Sequence, residues 1–220
     1  NVATVVTPQA MDQMVELGTF LLSKTCIATQ FFESVRGQPR DEQLRALNRA
    51  ELEELHERVM PLVELQAGRL FAGFSPLARA IANMYFLGVF RFAYSLQEKN
   101  IEGPHPWGMA CTAGKTTLVV DHDGALRSCE LREPFAHLQD FDFDLGAVLR
   151  SEVLRQEVEA IGGGYKANCW CTHTCWVLSS MKFSPKTLLF SVPMSFLRYR
   201  LEHLRKPELE QWGGVQAPRA

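Results

Sequence analysis

The spacing of apolar residues changes several times along the chain, and each change marks a different element. "VATVV", Val2 to Val6, is a β-branched run of strand type. The stretch after it, "PQAMDQMVELGTFLLSK", sets Met11, Met14, Leu17 and Leu21 on one helical face. "CIATQFFESV" then reads as a second strand, followed by "RGQPR". Strand, helix and strand in this order predict a βαβ unit of a parallel sheet. Two strands are too few for an independent sheet, so further strands are expected upstream. The opening "NVATVVTPQAM" has neither an initiator Met nor a signal-peptide pattern, which agrees with a fragment. Residues 1–36 of such a fragment would expose an unpaired sheet edge, a site of aggregation.

From 41 to 100 the pattern is helical, with Leu44, Leu47, Leu52, Leu55, Val59 and Leu62 at helical spacings. Pro61 is expected to kink or divide this stretch. A second helix begins at Ser75 as N-cap with Pro76 as its first residue, and runs to about Gln97 with an almost wholly apolar surface. Such a helix is either buried or covers another domain.

"NIEGPHPWG", with two prolines and two glycines, is the clearest boundary. Beyond it, "TTLVVDHDGALRSC" predicts two short strands around a tight turn, because Asp-Gly tolerates the positive φ angles of a hairpin. "LGAVLRSEVLRQEVEAIGGG" predicts one amphipathic helix stopped by glycines. A last helix covers about 186–205, interrupted by Pro193, with Leu188, Leu189, Val192 and Phe196 on a shared face and a polar tail behind it. It is expected to pack on the domain with Arg198, Arg200, Arg205 and Lys206 in solvent, the cations complementing the helix dipole. Its alternative is docking on a lipid headgroup layer or an acidic partner.

Composition narrows the partners. With 46% apolar and 22% charged residues the chain can bury a core, and a net charge of -2 gives no electrostatic reason to expect a nucleic acid. The apolar windows "IANMYFLGVF" and "LLFSVPMSFL" fall well short of the roughly 18 residues of a membrane span, so no membrane partner is expected. Six cysteines without a secretory signal point to the reducing cytoplasm, where grouped thiols bind metal or do redox work.

Five of the six lie after the boundary: Cys111, Cys129, Cys169, Cys171 and Cys175. The first two flank the hairpin, and the others share the loop "NCWCTHTC". A hairpin and a loop that fold together can assemble a tetrahedral four-sulfur site for zinc or an iron-sulfur cluster. Cys26, alone on a strand, reads as core. His173 is either a further ligand or a solvated loop residue, and Trp170 and Trp176 either shield the site or only pack.

"CTAGKTTLVVDHDGALRSC" has the form C-x12-G-x4-C, with Gly124 inside the turn, and resembles the opening motif of the SPASM and twitch domains of radical S-adenosylmethionine enzymes. The amphipathic segment and the terminal C-x3-C of Cys171 and Cys175 are similar to the rest of that pattern. The strand, helix, strand and "RGQPR" at the start look like the last strands of the superfamily's partial (β/α)6 barrel.

The resemblance implies an α/β end of a partial barrel (1–40), a helical connection (41–104) and a small α+β iron-sulfur domain with hairpin and cysteine-rich loop (105–183). A C-terminal helix and tail follow (184–220). It implies an auxiliary 4Fe-4S cluster on Cys111, Cys129, Cys171 and Cys175, with Cys169 as alternative ligand. S-adenosylmethionine and a second 4Fe-4S cluster would belong to the missing N-terminal barrel half. The barrel motif C-x3-C-x2-C is absent, since Leu178 stands where its third cysteine would be, and five cysteines support one auxiliary cluster at most. Partners implied are that barrel half, an unknown peptide or small-molecule substrate, and an electron donor such as a flavodoxin or ferredoxin.

Two rivals use the same thiols. A structural zinc module in a non-enzymatic protein needs only the four sulfurs. A dithiol oxidoreductase on Cys169 and Cys171 lacks the C-x-x-C spacing and an adjacent lysine or arginine to lower a thiol pKa.

Overall fold

The computed structural model describes residues 1–24, 27–35, 40–45, 47–161 and 171–205. Cys26, Cys169, Trp170, most of "RGQPR", the three glycines after Ile161 and the tail from Lys206 lie outside them. The chain is a mixed α/β structure in which helices dominate and two small sheets lie far apart in sequence.

β1 (Val2–Val6) and β2 (Gln30–Ser34) pair in parallel, with Val2 opposite Gln30 and Val6 opposite Ser34. Between them a 3-10 helix over Pro8–Gln13 runs into α1 (Met14–Leu22). The face that α1 buries is Met14, Gly18 and Leu22, whereas Met11, Leu17 and Leu21 are half-buried. Met14 belongs to both faces; from it burial follows the four-residue step to Gly18, against Leu62 and Phe32, and to Leu22.

α2 (Arg49–Leu70) starts on a capping box. Asn48 Oδ1 accepts the Glu51 N–H at 3.0 Å, and Glu51 Oε2 accepts the Asn48 N–H at 2.8 Å. Such a cap contributes about 1 kcal/mol. Pro61 lies inside α2 but does not divide it. An interior proline costs about 3 kcal/mol. Here Val59, Met60, Leu62 and Val63, all buried around it, offset that cost. α3 (Pro76–Asn100) is buried only in its second half, from Leu87 onward; Leu77 and Ile81 near its start face outward. Ser75 precedes it as expected, although its side chain makes no capping bond.

The hairpin has a third strand. β3 (Val119–Val120), β4 (Ala125–Arg127) and β5 (Ala136–His137) form an antiparallel sheet in that order. The segment expected as one amphipathic helix is two, α4 (Leu145–Leu149) and α5 (Glu152–Ala160). Ser151 restarts the helix, its Oγ accepting the Leu154 N–H at 3.2 Å. α6 (Thr174–Met181) follows the cysteine loop. A π-helical turn over Thr187–Ser191 then leads into α7 (Val192–Arg205). Pro193 does not interrupt α7, because its missing N–H and its ring fall where the ladder changes from π to α spacing. α7 packs through Val192, Phe196 and Tyr199, whereas Leu189, expected on that face, is exposed.

Two apolar clusters meet along α3. One joins Val6, Phe32, Leu52, Val59, Leu62 and Tyr94; the other joins Phe92, Leu96, Trp107, Met109, Trp176 and Val192. A Cβ on Gly88 of α3 would stand 2.5 Å from the Val192 carbonyl oxygen, a backbone atom that cannot swing aside. Gly88→Ala should therefore destabilise the chain by about 1–3 kcal/mol, read as a lower urea midpoint at unchanged m-value.

Within the first cluster lies a buried charge group. His56 Nδ1 is 2.8 Å from Glu98 Oε1, to which Arg91 Nη1 also donates at 2.9 Å. The His56 ring stacks on Tyr94 with centroids 4.0 Å apart. Burial holds the His56 imidazole below its ordinary pKa, against the pull of Glu98. For Glu98, burial pushes the carboxyl upward, but His56 and Arg91 outweigh it and the net shift is downward. From the neighbouring residue of α3, the Gln97 amide donates to Thr174 Oγ1 at the start of α6 and ties the two regions together.

Candidate metal-binding site

The β3–β4 turn depends on Gly124, whose φ of 93° is open to glycine and whose missing side chain admits His137. A Cβ there would lie 2.8 Å from His137 Cε1. The His137 ring bonds the Asp123 carbonyl at 2.6 Å, so the turn and β5 are locked together. This fixes β4, and two residues beyond its end Cys129 is buried. Cys111 precedes a tight turn in which Lys115 N–H donates to Thr112 at 3.0 Å, and Gly114 N–H reaches Ser128 at 3.2 Å. The two hairpin ends are thereby drawn together.

Cys111, Cys129 and Cys171 are all buried and line one cavity with Trp107, Ala113, Arg132, Ile161 and Trp176. About 10 Å³ is left open between these side chains. Cys175 stands in the first turn of α6, exposed and outside that lining. Cys169 lies outside the described residues. Among the described residues no three His, Cys, Asp or Glu side chains are gathered closely enough to hold a single ion.

The environment of the sulfurs is defined by backbone donors. The Ala113 N–H reaches Cys111 Sγ at 3.5 Å, and the His173 N–H reaches Cys171 Sγ at 3.2 Å. Burial pushes the Cys111 thiol pKa up and the nearby Cys129 adds to this, while the Ala113 N–H pulls it down. Trp107 Nε1 is a buried donor with no partner among the described residues, and Trp107 lines the same cavity. Such an orphan fits a group that brings acceptors of its own.

His173 is not solvated: it is buried, and its Nε2 contacts Glu130 Oε1. Trp176 Nε1 donates to Glu130 Oε2 at 2.9 Å. Burial raises the Glu130 pKa, but the bonds from Trp176 and His173 prevail and the carboxyl is held below its ordinary value. Trp176 thus both packs at the cavity and anchors α6 to the residue after Cys129. Arg132, at the cavity, donates to Glu157 Oε2 at 3.1 Å, and Ser128 Oγ donates to Glu157 Oε1 at 2.6 Å. Burial pushes the Glu157 carboxyl up, but these two bonds outweigh it and hold it low.

Sequence reasoning missed Glu130, Arg132, Trp107 and Glu157. Position beside Cys129 was a usable signal for Glu130. For Glu157, in α5, there was none, because its contact spans the sequence from one segment to another.

A wider groove of about 560 Å³ between α2, α3 and α7 is lined by Glu64, Met84, Leu87, Phe196 and Arg200 among others, with no cysteine or histidine. The thiol cavity is therefore where donor chemistry collects. No protein-family model matches the chain, and neither a curated protein nor a solved structure matches it.

Proposed function

We propose that the chain is the C-terminal portion of a radical S-adenosylmethionine enzyme and that its second part is a SPASM/twitch-like domain with one auxiliary 4Fe-4S cluster. The observation that carries this reading is the shared cavity of Cys111, Cys129 and Cys171, with the orphan indole donor of Trp107 beside them. These three sulfurs would hold the cluster, with Cys175 or Cys169 as fourth ligand. When bound, the cluster supplies one-electron transfer to radical chemistry in the barrel half, or structural support. The chain's own residues keep the site dry through Trp107, Ile161 and Trp176. Two of the sulfurs receive backbone N–H groups, an interaction that tunes cluster potential.

A second reading, structural zinc in a binding module, rests on the same buried thiols, since thiolates serve zinc and iron-sulfur clusters alike. Against it stands the spacing of the donors, which are not gathered as one ion requires. Anaerobic reconstitution of the chain with iron and sulfide distinguishes the two. A brown protein with absorbance near the blue edge and iron matched by acid-labile sulfide is expected. A colourless protein that takes up only zinc overturns the cluster reading.

A further inference from the structure

The outer side of α7 is apolar along its whole length. Met194, Leu197, Leu201 and Leu204 are all exposed, and they follow Phe190, also exposed, at steps of four, three, four and three. That spacing places them on one helical stripe. The opposite side is already occupied, since Val192 and Tyr199 are buried against the body of the protein. The stripe therefore points straight outward, with Leu204 80% exposed. Arg198 and Arg200 are exposed and stand on its two flanks by helical position, Arg200 also donating to Glu64 Oε1 at 3.2 Å. Residues 182–205 hold five basic residues against the single Glu202, a net charge of +4 in a chain whose total is -2.

From this we infer that α7 docks the protein on an anionic lipid surface. Long arginine side chains beside an apolar stripe can reach headgroup phosphates while their stems cover apolar surface. The charge pattern argues against a second copy of this chain. Two stripes placed together would bring Arg198 and Arg200 of one helix against those of the other. The face is also wider than the narrow seam of a helix pair, because Phe183 and Leu189 are exposed outside the row. No helix among the described residues is long and apolar enough to cross a membrane, so the contact is interfacial.

Co-sedimentation of the whole chain with vesicles of phosphatidylcholine containing about 30% phosphatidylserine at low salt tests this. Binding is expected, with little to pure phosphatidylcholine. Each basic charge near such a surface strengthens binding about fivefold, so Arg198→Glu should weaken it by at least about tenfold. The pair Leu197→Ser with Leu201→Ser should weaken it by at least about tenfold as well, at unchanged circular dichroism, because both leucines are solvent-facing. Failure of the unaltered chain to bind, equal binding to uncharged vesicles, or full binding by the double leucine variant would each overturn the inference. So would a dimer in lipid-free solution that the leucine variant splits, which would assign the face to a second copy.

Discussion

Replacing Glu98 with alanine should cost about 3 kcal/mol of folding stability, because it takes from the buried His56 Nδ1 and the partly buried Arg91 guanidinium the carboxylate they share. Glu98 is 4% exposed and His56 is not exposed at all. Among the described residues Arg91 would keep Glu202, at 4.0 Å and on the surface side. Urea denaturation followed by circular dichroism gives the loss directly, and a change below about 1 kcal/mol would show that water already reaches the group.

The same residues make stability fall in acid. His56 has a depressed pKa in the folded chain, so below about pH 6.5 the unfolded chain binds a proton that folded His56 refuses. Glu98 also has a depressed folded value. Its contribution is complete above its unfolded pKa of about 4.3 and is lost as the pH falls through the folded value. Both effects have one sign, and stability should decline from neutral pH downward in two stages. In the Glu98→Ala chain the lower stage should shrink by the share of Glu98, with Glu130 and Glu157 still contributing to it, while the His56 stage remains.

Cysteine variants should divide by position once the chain has been reconstituted with iron and sulfide without oxygen. Cys111→Ser, Cys129→Ser and Cys171→Ser are each expected to lower bound iron at least about tenfold, since on the proposed reading each would remove a thiolate ligand from the shared cavity. Cys175→Ser should do the same and Cys169→Ser should not, if the terminal C-x3-C spacing chooses the fourth ligand. Iron and acid-labile sulfide per chain are the readout. Retention of iron by both Cys111→Ser and Cys129→Ser would remove the hairpin from the site.

Much of this architecture can be read from local pattern, and its gaps have local causes. The parallel pairing of "VATVV" with "QFFES" was legible because β-branched and aromatic runs enclose a helical one. Leu52, Leu55, Val59 and Leu62 are buried as their spacing predicts. Pro61 and Pro193 misled, because proline's cost is offset by packing in one case and by a π turn in the other, neither of which is visible in a window of sequence. β5 is two residues long, too short for an alternating pattern to register. At the site, cysteine spacing pointed to Cys111, Cys129, Cys171 and Cys175, of which the first three line one cavity while Cys175 is exposed outside it, and the charged residues around them came from unrelated segments. Glu130 reaches across to α6 and Glu157 back to Ser128, the residue after β4, and only the fold brings such pairs together. His173 was open between ligand and solvated residue because nothing local reveals Glu130 as its partner.

The π turn before α7 sets the angular position of everything after it. A π turn amounts to one residue more than an α-helix needs, and one residue is about 100° of rotation. Were residues 187–191 to close as ordinary α-helix with no residue lost, everything after them would rotate by about 100°, and Val192, Phe196 and Tyr199 would turn away from the core that now receives them. The turn thus acts as a phase setting between the two sides of a helix that is apolar on both. A single-residue deletion there would keep that phase, whereas straightening the turn at constant length would be a frame error in space, exchanging inner for outer residues while leaving composition unchanged.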